Sequence, residues 1–366
     1  MYHKLHIDKK NRQEILAELR VDASTWDVFS RFDEKYQEDL ILFCMGEQSL
    51  SITYDSIFKK LFDPLSDSKR LEWLISGILG HKIKILEVLQ NHGTVIHEEA
   101  SFVIMDVVVQ LEDGTIMNVE MQKYGYLFPA QRTDCYMSDL LMRQYSDIRK
   151  KRGKDFRFQD ISKVVVIVIM EHSPKVFHQA GDSYIHHGKM VYDTAIELDD
   201  LFFSTYVCLD VYKKICHTEI NSMQEAWMRF LGSYDMKDVL DLCHQYPEFI
   251  PLYQEVFEFR QNVKGLVHMF SEALSVMTKN TERYMVEQLQ KKVELQEEAL
   301  EQKDVMLEQN KAALEQKDVM LEQNKAELEH NKAALEQKDA ELDLKNKRIL
   351  ELERLLADTN NSNKPE

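Results

Sequence analysis

Phe102-Val103-Ile104-Met105-Asp106-Val107-Val108-Val109-Gln110-Leu111-Glu112-Asp113-Gly114-Thr115-Ile116-Met117-Asn118-Val119-Glu120-Met121-Gln122 is the stretch on which the fold turns. Two runs of β-branched and apolar residues flank Glu112-Asp113-Gly114, a loop of the kind built from a type I turn followed by glycine in the left-handed region. Such a loop fixes register. It pairs Leu111 with Thr115, and so sets Asp106 directly opposite Glu120 and Ile104 opposite Gln122, on one shared face. The other face is then Val103, Met105, Val107, Val109 and Leu111 with Met117, Val119 and Met121, all apolar. One side would cover a core while the other carries two acids and an amide.

Opposed residues in an antiparallel pair have Cβ atoms about 4.5–5.5 Å apart, where like charges repel unless something neutralises them. A hard divalent cation would do so. Mg²⁺ commonly takes one or two carboxylates, keeps several waters and accepts a phosphate oxygen from substrate. It then lowers the pKa of a bound water and offsets charge developing on the phosphate. The plainer alternative is the solvated outer face of a hairpin, with Gln110 and Asn118 as ordinary polar neighbours. Phe102, Ile104, Val108 and Ile116 share that face, which points instead to a partly covered cleft.

Outward from the hairpin, Ile57, Phe58, Leu61 and Phe62 recur at helical spacing, and the run from Leu71 to Leu79 ends at Gly80. Two helices are predicted there, followed by a first strand over 83–89. After Pro129 a helical run passes through Arg132, Tyr136, Leu140, Leu141 and Tyr145 to about residue 151. Residues 163–170 are nearly all β-branched and apolar, the pattern of a central strand covered on both faces. Helix, three strands, helix, strand describes an α/β chain with a mixed sheet and a right-handed crossover. Beyond Pro174 the pattern predicts mainly helix to about residue 279, with one further strand over 206–209.

The expected division is therefore an N-terminal helical extension over 1–50, the sheet-bearing core over 51–172, a mainly helical region packed on it over 173–280, a heptad segment over 281–357 and a disordered tail over 358–366. In the heptad segment Leu300, Leu307, Leu314, Leu321, Leu328, Leu335, Leu342, Ile349 and Leu356 fall seven apart without a break. Three residues after successive leucines stand Lys303, Asn310, Lys317, Asn324, Asn331, Lys338 and Lys345, so one of the two seam positions is polar. A weak parallel homo-oligomer through this coiled coil is expected, with a solvated single helix as the rival.

The formal charge is −17. Residues 281–366 hold 14 Lys/Arg against 21 Asp/Glu, leaving −10 on the rest, which counts against broad electrostatic attachment to nucleic acid and leaves that work to a local basic patch. The densest such patch is Arg149-Lys150-Lys151-Arg152-Gly153-Lys154 with Arg157 beyond; it also suits a charged helix C-terminus. Five scattered cysteines without a CxxC pair suggest neither disulfides nor zinc. Cys216-His217, Cys243-His244 and His186-His187 lack metal-ligand spacing, and no Gly-rich phosphate loop, nucleophile elbow or kinase signature is present. No apolar run approaches bilayer length and the N-terminus has no apolar leader, so a soluble, cytoplasmic protein without membrane partner is expected.

Ile104-Met105-Asp106, the Leu111-Glu112-Asp113-Gly114 turn, Asn118-Val119-Glu120-Met121-Gln122, Phe58-Lys59-Lys60-Leu61-Phe62 and the helix through Arg132, Tyr136, Arg143 and Gln144 together resemble the recombination-promoting nuclease and transposase family of the PD-(D/E)XK superfamily. The resemblance covers roughly residues 54–170, with a looser likeness to about 279. It implies a restriction-endonuclease-like core over 51–172 that cuts double-stranded DNA with Mg²⁺, Mn²⁺ substituting. Asp106 would be the motif aspartate and Glu120 the motif glutamate, both metal ligands. Gln122 would stand where the superfamily usually has lysine.

That substitution removes an ammonium, so Gln122 could only orient the attacking water by hydrogen bonding. Lys123 is adjacent, but strand alternation turns it to the opposite face. Asp55 is a candidate auxiliary carboxylate or a first-turn helix acid, and Lys59 a candidate phosphate contact or a solvated lysine. Arg132, Tyr136, Arg143, Gln144, Arg149, Lys150 and Lys151 are candidate DNA contacts. Two functions stand: a metal-dependent DNA endonuclease, or a nuclease-fold protein impaired through Gln122 that binds DNA or scaffolds through its coiled coil.

Overall fold

The computed structural model describes residues 2–89, 105–128, 130–194, 196–215 and 219–361. Three helices open the chain: α1 (Arg12–Val21), α2 (Ala23–Ser30) and α3 (Glu34–Met45). Asn11 starts α1 with a reciprocal capping box to Glu14, and Asp22 caps α2. Next come α4 (Asp55–Leu61) and α5 (Pro64–Leu79), the latter capped by Asp63, started by Pro64 and stopped by Gly80 in the left-handed region.

The sheet begins with β1 (Ile85–Val88), β2 (Val107–Leu111) and β3 (Ile116–Tyr124); α6 (Ala130–Arg152) crosses over to β4 (Val164–His172), and β5 (Ile185–Lys189) and β6 (Phe202–Cys208) follow. The six strands lie in the order β1-β2-β3-β4-β6-β5. β3, β4 and β6 run parallel, while β1, β2 and β5 pair antiparallel to their neighbours. This mixed sheet flanked by helices is the restriction-endonuclease-like architecture expected from the resemblance. The strand expected over 206–209 is longer, running over Phe202–Cys208, and β5 falls where the sequence pattern predicts mainly helix. Ile185-His186-His187-Gly188-Lys189 is an edge strand without apolar alternation, so period-two reading has nothing to find.

Four shorter helices follow: α7 (Leu209–Ile215), α8 (Met223–Gly232), α9 (Met236–Gln245) and α10 (Ile250–Glu258). Then α11 runs over Val263–Asn361. One face of the sheet, with Val107, Val109, Val119, Met121, Ile167 and Ile169, is buried with apolar residues of α1 to α5 and of α8 to α10 and with the opening of α11. Phe43 stacks on Phe257, and Phe62, Trp73, Trp227, Phe230 and Phe249 form one aromatic knot, so residues before and after the sheet share this core. On the other face Val108, Ile116, Val164, Val166, Val168 and Met170 pack with Tyr136, Met137 and Leu140 of α6. β4 is thus covered on both sides, as its composition predicts.

The chain divides into two compact units, Met1–Tyr284 and Met285–Glu366. Within the second, Leu300, Leu307, Leu314, Leu321, Leu328, Leu335, Leu342 and Ile349 are each between 53 % and 71 % exposed in the single chain. No helix among the described residues is long and apolar enough to cross a membrane.

Candidate active site

The β2–β3 register begins at the turn. Gly114 has φ +87, the left-handed value the loop requires, and Leu111 donates its N–H to Thr115 O at 2.8 Å. Pairing then runs Gln110 with Ile116, Val109 with Met117, Val108 with Asn118 and Val107 with Val119, so the next pair in line is Asp106 with Glu120. The onward pair of Ile104 with Gln122 lies outside the described residues, as do Phe102 and Val103.

At Asp106 the regular alternation ends. β2 starts only at Val107 and Asp106 sits in a bend, so Met105 packs with Val108 and Ile116 rather than on the face of Val107, where alternation had placed it. Narrow, hydrogen-bonded pairs recur every second residue from Leu111–Thr115, which makes the carbonyl of residue 105 the ladder acceptor for the Met121 N–H. The Asp106 carboxylate takes that N–H instead, Oδ2 accepting at 2.8 Å. The Asp106 N–H in turn donates to Glu120 Oε1 at 3.0 Å. Each acid therefore clasps backbone of the other's strand.

From this point their surroundings diverge, and the single shared face that strand alternation predicts for the two acids is not kept, because the bend turns Asp106 away from regular alternation. Glu120 is 1 % exposed and stays on the α6 face, where Asn118 Nδ2 donates to its Oε1 at 2.9 Å and Gln122 Nε2 reaches its Oε2 at 3.4 Å. Asp106 reaches α4, where Lys59 Nζ lies 2.9 Å from Asp106 Oδ1 and 2.9 Å from Asp55 Oδ1. Lys59 thus bridges two carboxylates. Burial, reinforced by the Asp55 charge and only partly offset by Lys59, raises the Asp106 carboxyl to about 6. Burial and the Asp106 charge push Glu120 well above the usual range, while Asn118 and Arg132 pull the other way. Burial alone would lower Lys59, yet Asp106 and Asp55 leave it raised and firmly cationic.

Of the other residues singled out from sequence, Arg132 and Tyr136 join this site. Arg132 Nε donates to Tyr136 Oη at 2.7 Å, its guanidinium lies 4.7 Å from the Phe128 ring centroid, and its charge acts on Glu120. Arg143, further along α6, is tied to Asp139. Gln144 is no surface contact: it is 6 % exposed and clips Ser162 through both main-chain groups, at 3.2 and 3.1 Å. Arg149, Lys150 and Lys151 stand at the other end of α6, about 25 Å along its axis from Arg132 at roughly 1.5 Å rise per residue. Lys123 faces away from Gln122, paired with Glu171 at 3.1 Å and lying 3.9 Å from the Tyr54 ring centroid.

Sequence reasoning passed over Asn118 as an ordinary polar neighbour. It is fully buried, holds Glu120, and its Oδ1 has no partner among the described residues. The available signal was strand parity, since Asn118, Glu120 and Gln122 share one face. Cys216-His217 lies outside the described residues. No group of three His, Cys, Asp or Glu among the described residues is arranged to hold a metal ion.

The chain belongs to the PD-(D/E)XK nuclease family transposases, whose family model matches residues 52–300, more than half of its length. No curated protein and no solved structure matches it.

Proposed function

We propose that the chain is a Mg²⁺-dependent DNA endonuclease, Mn²⁺ substituting, which hydrolyses phosphodiester bonds of double-stranded DNA during recombination or transposition. The observation that carries this reading is the clasp of Asp106 and Glu120, two buried acids whose charges Lys59 and Arg132 compensate only in part.

The donors fit a hard divalent cation. One carboxylate comes from β3 and the other from the bend that leads into β2, Asp55 stands behind Lys59, and the Asn118 amide beside Glu120 keeps a buried oxygen unpartnered among the described residues. Asp106 and Glu120 would hold the ion. Bound there, it supplies Lewis acidity toward the scissile phosphate and a lowered pKa for the attacking water. Gln122, beside Glu120, orients that water through its amide but brings no charge. Lys59 brings the charge Gln122 lacks, from α4 rather than from β3. Arg132, held against Phe128 and Tyr136, presents a guanidinium to substrate phosphate.

A supercoiled-plasmid assay with Mg²⁺, Mn²⁺ or EDTA tests the reading. Nicking is expected with either metal and none with EDTA, and Asp106→Ala or Glu120→Ala is expected to abolish it while circular dichroism stays native. Cleavage that persists in either variant moves catalysis elsewhere. Absence of cleavage by the wild-type protein favours the second reading, for which Gln122 is the specific observation: a nuclease fold retained for DNA binding or scaffolding.

A further inference from the structure

The basic end of α6 is too far from Asp106 to serve the same phosphate, and it holds more than charge. Arg149, Lys150, Lys151, Arg152, Lys154 and Arg157 are all exposed, against Asp147, Asp155 and Asp160, in a chain whose net charge is −17. Among them sits a cluster of rings. Tyr145 meets Phe156 edge-on at 5.4 Å, Phe156 meets Phe158 edge-on at 5.3 Å, and Tyr145 and Phe158 lie nearly parallel, 14° apart, at 6.3 Å.

Phe158 is 71 % exposed, yet its surroundings hold it in place. Asp160 accepts from the Arg157 N–H at 2.9 Å and meets Arg152 at 3.2 Å, and Gln144 pins the loop at Ser162. Tyr145 is already engaged, receiving a hydrogen bond from Arg149 and its guanidinium over the ring. Phe158 is the ring left open.

A fixed, open aromatic ring surrounded by cations matches a polyanion that carries free aromatic faces. Duplex DNA hides its base faces by stacking them on one another, whereas single strands offer them. We propose that Phe158, backed by Tyr145 and Phe156 and flanked by Lys150, Lys151 and Arg157, is a stacking platform for single-stranded nucleic acid, remote from the cleavage site. The cations hold the backbone without regard to sequence, and the ring takes one base. The platform lies along α6 at about the span of seven to eight base pairs from Arg132, at roughly 3.4 Å per pair. An overhang or displaced strand next to a duplex could therefore engage both ends of the helix.

Fluorescence anisotropy of the full chain with labelled oligothymidylate and with a blunt duplex, at low salt and in EDTA, tests this without any cleavage, so it stands or falls separately from the nuclease reading. Phe158→Ala is expected to weaken oligothymidylate binding about tenfold and leave the duplex unchanged, with Phe158→Trp restoring it. Lys150→Gln with Lys151→Gln is expected to weaken both and to flatten the salt dependence. Equal binding of oligothymidylate by Phe158→Ala and wild type, or equal loss of both probes in Phe158→Ala, would overturn the proposal.

Discussion

The Asp106 carboxyl titrates near 6 because burial and the Asp55 charge outweigh the Lys59 ammonium 2.9 Å away. An unfolded aspartate titrates near 3.9, so the folded, metal-free protein binds the proton more tightly than the unfolded chain. The increment of stability from this group is therefore full below about pH 4 and is lost as pH rises through about 6, on the order of 3 kcal/mol in all. A divalent cation competes with that proton, so its stabilising effect should grow over the same window. Urea melts with EDTA and with Mg²⁺ at steps from pH 4.5 to 7.5 measure both; a Mg²⁺ effect constant across the range would remove Asp106 from the metal site. The charge bridge at Lys59 gives a second test. Lys59→Gln should lower plasmid nicking about 10²-fold, and Gln122→Lys should raise wild-type activity and recover part of the loss in the Lys59→Gln background. Single-turnover rates decide between this and a merely structural lysine, for which Gln122→Lys would rescue nothing. Asp106 and Glu120 were legible because a turn of known length counts residues off on both strands. The approach of Lys59 was not, since it depends on where α4 settles on the sheet.

Among the elements, the hairpin shows why register could be read and side-chain direction only in part. Gly114 sets the pairing, and an added Cβ there would lie 2.7 Å from Ser162 Oγ as well as occupy a φ of +87. Gly114→Ala should therefore cost about 1–2 kcal/mol and lower the melting temperature by a few degrees, with activity falling no further than stability does. Differential scanning fluorimetry beside nicking rates checks it, and an unchanged melting temperature would mean the turn relaxes without strain. The bend at Asp106 was invisible because period-two counting assumes a regular strand to its end. β4 was plain, since burial on both faces leaves an unbroken apolar run, whereas β5 at the sheet edge needs no such run. In α6 the sequence offered one row of polar candidates, and the packed helix sorts them by depth and distance: Arg132 and Tyr136 at the acids, Gln144 sealed inward, Arg149 to Arg152 remote.

At the scale of the whole chain, α11 plays two parts with different requirements. Its opening belongs to the body: Val263, Leu266, Val267, Phe270 and Ala273 are buried, and Phe270 meets Tyr54 at 5.1 Å. Beyond Tyr284 the second compact unit begins, and its heptad leucines are more than half exposed in the single chain. A stripe of exposed leucines that long is stable in water chiefly when another helix covers it, because an isolated helix draws little stability from propensity alone. The lysines and asparagines at the second seam position limit how closely such helices approach, so the association should be weak and concentration-dependent. A chain ending at Tyr284 should accordingly fold with the same near-UV circular dichroism as the full-length body and sediment as a monomer. Ending it at Asn262 should instead expose the pocket that Phe270 fills and produce aggregation. Full-length protein should pass from monomer to oligomer as concentration rises in sedimentation velocity runs. If it remains monomeric throughout, the leucine stripe serves no self-association and the coiled-coil reading fails; if the form ending at Tyr284 still self-associates, the contact belongs to the body and the tail is a spacer.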